Sequence, residues 1–245
     1  MWLAARGLAV RASLALVAVG TVAGVAAAFI GRGRPWAAAV PAVGSAAIAW
    51  SAGVMAAFTA ALKVVHRDRD EGVLALLRAR GVGPGGYVVA RAGGLVAVLA
   101  GAMGAGVACI GAASTMASGA PLSTARASLG ALAYALAFAA TLGPLAMATV
   151  GGRSRGLGYL ALLSVLALPE ALAPWTSHLL PPDWRELTSI PAALDAVRHG
   201  VARAGFFAPA ARAVVGLSVT IAASLLVVRA RVARVSSEPV HGGSA

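Results

Sequence analysis

The feature that most constrains this chain is a set of six apolar runs, each long enough to cross a bilayer. The first, Ala12 to Gly31, holds twenty residues without a charge, enough for about 30 Å of helix. The second, Pro35 to Leu62, has 28 uncharged residues, with Pro41 early as a kink or a true start. The third lies in the 34 uncharged residues between Arg91 and Arg126. Its last third, Ser114 to Thr124, with Gly119, Pro121 and several hydroxyls, reads as an exit loop. The fourth, Ala127 to Gly152, contains Pro144, and a basic turn, Gly151-Gly152-Arg153-Ser154-Arg155-Gly156, follows it. The fifth, Leu157 to about Trp175, carries Pro169, Glu170 and Pro174 near its end. The last, Phe206 to Val228, contains Arg212.

An all-α integral membrane protein of six transmembrane helices follows, with spans expected near 12–31, 36–62, 88–113, 127–150, 157–175 and 206–228. Together they make one domain over residues 1–235, with a short tail from Ser236 expected to be disordered. Only 11% of residues are charged, against about 25% in soluble domains. A membrane barrel would need alternating segments of about ten residues rich in aromatics, and only 5% of this chain is aromatic. A signal peptide competes for the first run, since Arg6 and Arg11 precede it and Ala26-Ala27-Ala28 resembles a cleavage site. The run is longer than a signal peptide's apolar region of about 7–15 residues, so a retained helix is expected. Gly20 and Gly24 there form a small-xxx-small pair suited to close helix packing.

Six spans put both termini on one side. With the N-terminus in the cytoplasm, thirteen Lys and Arg fall on the cytoplasmic side and seven outside, so the positive-inside rule favours this orientation. The net charge of +12 therefore belongs to loops and helix ends. Nucleic-acid binding is excluded for lack of a basic stripe with interleaved aromatics. Cys109 sits alone in an apolar run and signals neither disulfide nor metal.

Between the second and third runs lies a charged segment, His66 to Tyr87. Asp70 to Arg80 reads as one short helix, with Asp68, Asp70 and Glu71 early and Arg78 and Arg80 late, matching the helix dipole. Val73, Leu74, Leu76 and Leu77 make an apolar face, and Glu71, Ala75 and Arg78 the other. Gly81-Val82-Gly83-Pro84-Gly85-Gly86 ends the helix, and Tyr87 and Arg91 stand where interfacial anchors belong. The bland reading is an amphipathic helix resting on headgroups.

The order Asp-Glu-Gly-Val-Leu-Ala-Leu-Leu, a linker, then Tyr-Val-Val-Ala-Arg resembles the coupling-helix region of type-2 ABC exporter permeases. That superfamily typically shows Glu-x-Gly-Thr-Leu-x-x-Leu-Leu before its third span. Glu71, Gly72, Leu74 and Leu77 match, Val73 replaces the Thr, and the usual following Pro is absent until Pro84. Arg91 stands where the family has a Lys. The layout is similar too, including a polar stretch before the last span. Here two outer-face helices are expected, one with Asp183 and one with Ser189 as N-cap, the second carrying Leu194, Val197 and Val201 on one face. The haem-export permeases of cytochrome c maturation are the nearest subfamily in layout. The resemblance departs at the start, where only eleven residues precede the first span.

The resemblance implies a permease homodimer or heterodimer in lipid, bound to separate ABC ATP-binding subunits, moving a substrate outward. Its coupling residues would be Asp70, Glu71, Gly72, Leu74, Leu77, Arg78 and Arg80, with Leu74 and Leu77 in a groove of the ATPase and Glu71 and Arg78 at its rim. ATP would be bound by the partner. This chain has no Walker A loop, its one lysine being Lys63 after Leu62, and no cofactor, metal-ligand spacing or catalytic set is expected. A serine protease of the membrane is also excluded, because His66, His178, His199 and His241 all lie in polar stretches. Two further readings stand beside the permease. One is a non-transporting scaffold or assembly factor. The other is a proton-coupled carrier using Glu170, the acid inside an apolar run. Arg212 is expected to snorkel to the outer interface, and Asp195 and His199 to pair locally.

Overall fold

The computed structural model describes residues 8–62, 64–151, 155–176, 181, 185–203 and 207–237. Among these the chain is helical, with no strand. Among the described residues, six helical stretches are long and apolar enough to cross a membrane. The physical reason is the demand that lipid makes on a backbone: every N–H and C=O must be paired within its own segment.

The first span is α1, Leu8–Ile30. The second starts with a 3-10 turn at Pro35–Ala39 and continues as α2, Val40–Ile48, with Pro41 in its first turn. A π-helical turn, Ala49–Gly53, interrupts it before α3, Val54–Ala61. Next come α4, Val64–Asp70, and α5, Val73–Ala79. The third and fourth spans are α6, Pro84–Ala117, and α7, Pro121–Val150. The fifth is α8, Arg155–Thr176. Two shorter helices, α9, Arg185–Thr188, and α10, Ile190–Ala202, precede the last span, α11, Phe207–Ser237. The expected cap at Asp183 lies outside the described residues, as does the tail beyond Ser237.

Helix α7 is the centre. Its apolar stretch is 67% buried, against 17% for the first and fifth spans. It packs on α2, α3, α6, α8, α10 and α11. Small residues permit the close approaches. A Cβ on Gly20 would lie 3.1 Å from Ile48, and one on Gly24 2.5 Å from Ile110. The expected small-xxx-small pair thus seats α1 on both the second and third spans. At the π turn, Trp50 Nε1 donates to Tyr134 Oη at 2.7 Å and its ring meets Phe138 edge-on.

One end of the bundle, the near face, carries α4 and α5, and the other, the far face, carries α9 and α10. The expected exit loop over Ser114–Thr124 shrinks to three residues between α6 and α7. The hydroxyls that suggested a loop bond back along the helices instead: Thr115 to the Gly111 carbonyl at 2.8 Å, Thr124 to that of Ala120 at 3.0 Å.

Candidate functional site

The charged segment is two helices rather than one from Asp70 to Arg80. Gly72 adopts φ +74° and breaks the run after α4, a conformation costly for any residue with a Cβ. The acids therefore do not open a helix: Asp68 and Asp70 close α4, and α5 has no acid in its first turn. Arg78, in its last turn, does suit the dipole. A Schellman cap stops α5 at Gly81, which has φ +75°. The Val82 N–H donates to the Leu77 carbonyl and the Gly81 N–H to that of Arg78, both at 2.9 Å.

Beneath this pair of helices lies an ionic clasp. Asp68 is fully buried. Tyr87 Oη donates to its Oδ2 at 2.8 Å, and Arg91 reaches it with two bonds, Nε to Oδ2 at 2.7 Å and Nη2 to Oδ1 at 2.5 Å. Tyr87 and Arg91 are four apart on one face of α6, so both address one carboxylate. The bidentate fork is the strong geometry for Arg and carboxylate. These two residues turn inward to Asp68 rather than serving simply as interfacial anchors; Tyr87 is only 3% exposed. Asp68 is the centre of this clasp, and sequence reasoning missed it. The available signal was the Tyr87/Arg91 spacing, which asks for an acid.

The apolar side of α5 is partly covered by the chain itself. Leu74 and Leu77 pack against the core and border a shallow hollow with Val82, Tyr87 and Val232. Both stay half-exposed. Leu76 projects outward, at 55% exposed, and Glu71, Arg78 and Arg80 are exposed beside it. Asp70 and Gly72 are exposed at the break. Arg67 reaches Glu71 only at 4.0 Å, a surface pair of little energetic weight.

On the far face, the two charged residues inside apolar spans both find partners on the short helices. Glu170 accepts from Arg185 Nη2 at 2.5 Å and from the Ser189 hydroxyl. Arg212 Nε donates to Glu186 Oε2 at 3.0 Å, so Arg212 is drawn to a protein partner. Helix α9 thereby straps α8 to α11. Ser189 caps α10 as expected, accepting from the Ala192 N–H at 3.2 Å. Because its hydroxyl also holds Glu170, Ser189→Ala is expected to cost about 1–2 kcal/mol, read as a lowered Tm in detergent, whereas Ser189→Thr retains most of the stability.

Helix α10 also carries Arg198, whose Nη2 pairs with Asp195 at 2.9 Å and whose guanidinium lies 5.9 Å over the Tyr134 ring. Asp195 is thus paired locally, with Arg198 at i+3. Burial lowers the His199 pKa below its ordinary value, and the neighbouring Arg198 and Arg203 charges lower it further.

Among the described residues, no group of three His, Cys, Asp or Glu could hold a metal. The near face thus presents a short helix, α5, with an exposed polar rim, next to α4, which is tied to the third span through one buried carboxylate. No protein-family model matches the chain, and no curated protein or solved structure does either.

Proposed function

We propose that this chain is the membrane-spanning permease subunit of an ATP-driven exporter of the ABC type, with ATP hydrolysed on a separate subunit. The observation that carries the reading is α5. It is a seven-residue helix bounded by two left-handed glycines, seated on its own bundle through Leu74 and Leu77, and presenting Leu76, Arg78 and Arg80 outward. A helix built this way passes a push from a soluble partner to α4, which it adjoins, and from there to α6, because Asp68 of α4 is clasped by Tyr87 and Arg91 of α6. The thirteen-to-seven basic count supports a cytoplasmic place for it. Outward transport and a permease dimer follow from the coupling-helix resemblance. The open apolar flanks of α1 and α8 leave room for a second permease subunit or for lipid. Glu170, tied to Arg185 and Ser189, serves in this reading as a structural link to α9.

The test uses the rim that the fold exposes. Leu76→Asp with Arg80→Glu is expected to weaken association with the ATP-binding subunit about thirtyfold or more, the effect of losing one strong contact at an interface centre. Co-purification and stimulated ATP hydrolysis both report it. A photocrosslinking residue at position 76 identifies the partner. Unchanged co-purification and ATPase activity in the double variant overturns the proposal, and capture of a partner without an ATP-binding cassette favours a scaffold.

A further inference from the structure

Beside the clasp, α1, the second span and α6 wall a cavity of about 180 Å³. Small side chains make it: Ala56 and Ala60 on one wall, Ala90 and Gly94 on the other, with Leu14 and Val17 closing the third. Along α6 it extends from Arg91 to Met103, about 18 Å at the helical rise. Its inner end meets the π turn, where Gly53 approaches Met103 so closely that a Cβ would lie 2.9 Å from the sulfur. Its lining is apolar for almost all this length.

The outer end is different. Arg67 and Arg91 both line it, at the near face. Asp68 takes Nε and Nη2 of Arg91 and leaves Nη1 outside that pair. Arg67 is 43% exposed and holds Glu71 only at 4.0 Å. An apolar slot along α6 with guanidinium groups at its mouth is complementary to a hydrocarbon chain ending in an anion. The chain restores dispersion contacts that a void forfeits, and the head accepts charge-assisted hydrogen bonds.

We infer that this slot binds a single-chain amphiphile with an anionic head, its tail between the second and third spans and its head at Arg67 and Arg91. The site belongs to the spans, so it stands whichever partner α5 engages.

The probe is a laurate analogue with a diazirine near the end of its chain, added to the full-length protein in phosphatidylcholine nanodiscs. After irradiation, adducts are expected in the stretches 53–60 and 94–103. Unlabelled laurate is expected to compete, while dodecanol and dodecylphosphocholine at the same concentration do not. Gly94→Leu fills the slot and is expected to abolish the adduct; a Cβ there meets nothing within 4 Å, so the backbone tolerates it. Gly93→Leu, on the exposed flank, leaves labelling unchanged. Arg67→Gln, an exposed change that spares the packing, is expected to weaken competition by laurate about tenfold. Equal competition by dodecanol, labelling that survives Gly94→Leu, or laurate competition unaltered in Arg67→Gln each overturns the inference. The last arm decides alone should Gly94→Leu fail to fold.

Discussion

Replacing Arg91 by leucine is expected to destabilise the chain by about 3–5 kcal/mol, the cost of stranding a buried charge. The size of the effect follows from which partner is left behind. Asp68 is fully buried, whereas the Arg91 side chain is 35% exposed. Removing Arg91 leaves a carboxylate with Tyr87 as its remaining partner and no route to water. Asp68→Asn leaves a guanidinium that can still be solvated and keeps an oxygen for Tyr87, so its cost is smaller, about 1–2 kcal/mol. Tyr87→Phe removes one neutral donor and costs about 1 kcal/mol. Asp68→Leu with Arg91→Leu recovers most of the Arg91→Leu loss, because no charge is then left unpaired. Thermal unfolding in detergent ranks the four variants. Hydrogen exchange over residues 64–79 reads the local consequence: Arg91→Leu frees α4 and α5 from α6. Equal costs for Arg91→Leu and Asp68→Asn would show that the clasp is not what holds the segment.

The clasp was only half legible in the sequence: Tyr87 and Arg91, one turn apart, ask for an acid, but nothing says which one. Asp68 sits in a run of charges that reads as solvated, and its partners lie 19 and 23 residues away, beyond any helical spacing rule. The apolar face of α5 was legible from its pattern, but the pattern does not say what covers it. Leu74 and Leu77 could meet a partner or their own bundle, and they rest half-buried against the bundle with part of their surface open. Local features were read well. The Ser189 cap needs only the residues that follow it, and the six spans need only length and charge. The exit loop after the third span was overdrawn because Gly, Ser and Thr signal turns in water. In an apolar setting their hydroxyls pair with carbonyls a turn back and helix persists. Glu170 and Arg212 stood out correctly as charges in apolar runs. Their partners, Arg185, Ser189 and Glu186, come from short helices whose placement depends on how α10 packs.

That packing hangs on Gly130. A Cβ there would lie 2.5 Å from the Arg198 carbonyl oxygen and 3.1 Å from the Ala202 Cβ. The first of these is backbone, which cannot swing aside. At Gly24 the clashing atoms belong to the Ile110 side chain, which can change rotamer, so Gly24→Ala is the milder change. Gly130→Leu must push α10 off α7, uncovering Ile190, Ala193 and Leu194, all at most 6% exposed. The expected loss is about 3 kcal/mol, at the upper end for overpacking, and Gly130→Ala gives a smaller loss of the same sign. Gly101→Leu serves as the control, since a Cβ there meets nothing within 4 Å and exposed substitutions cost within about 0.5 kcal/mol. Because α10 also carries Arg198 over the Tyr134 ring, its displacement takes that cation–π contact with it. The distinguishing readout is regional. Hydrogen exchange rises over 190–202 in Gly130→Leu while 64–91 keeps its protection, since the Asp68 clasp lies on the opposite face. A uniform rise over both regions would mean that the two faces unfold as one unit and that α10 is no separable layer.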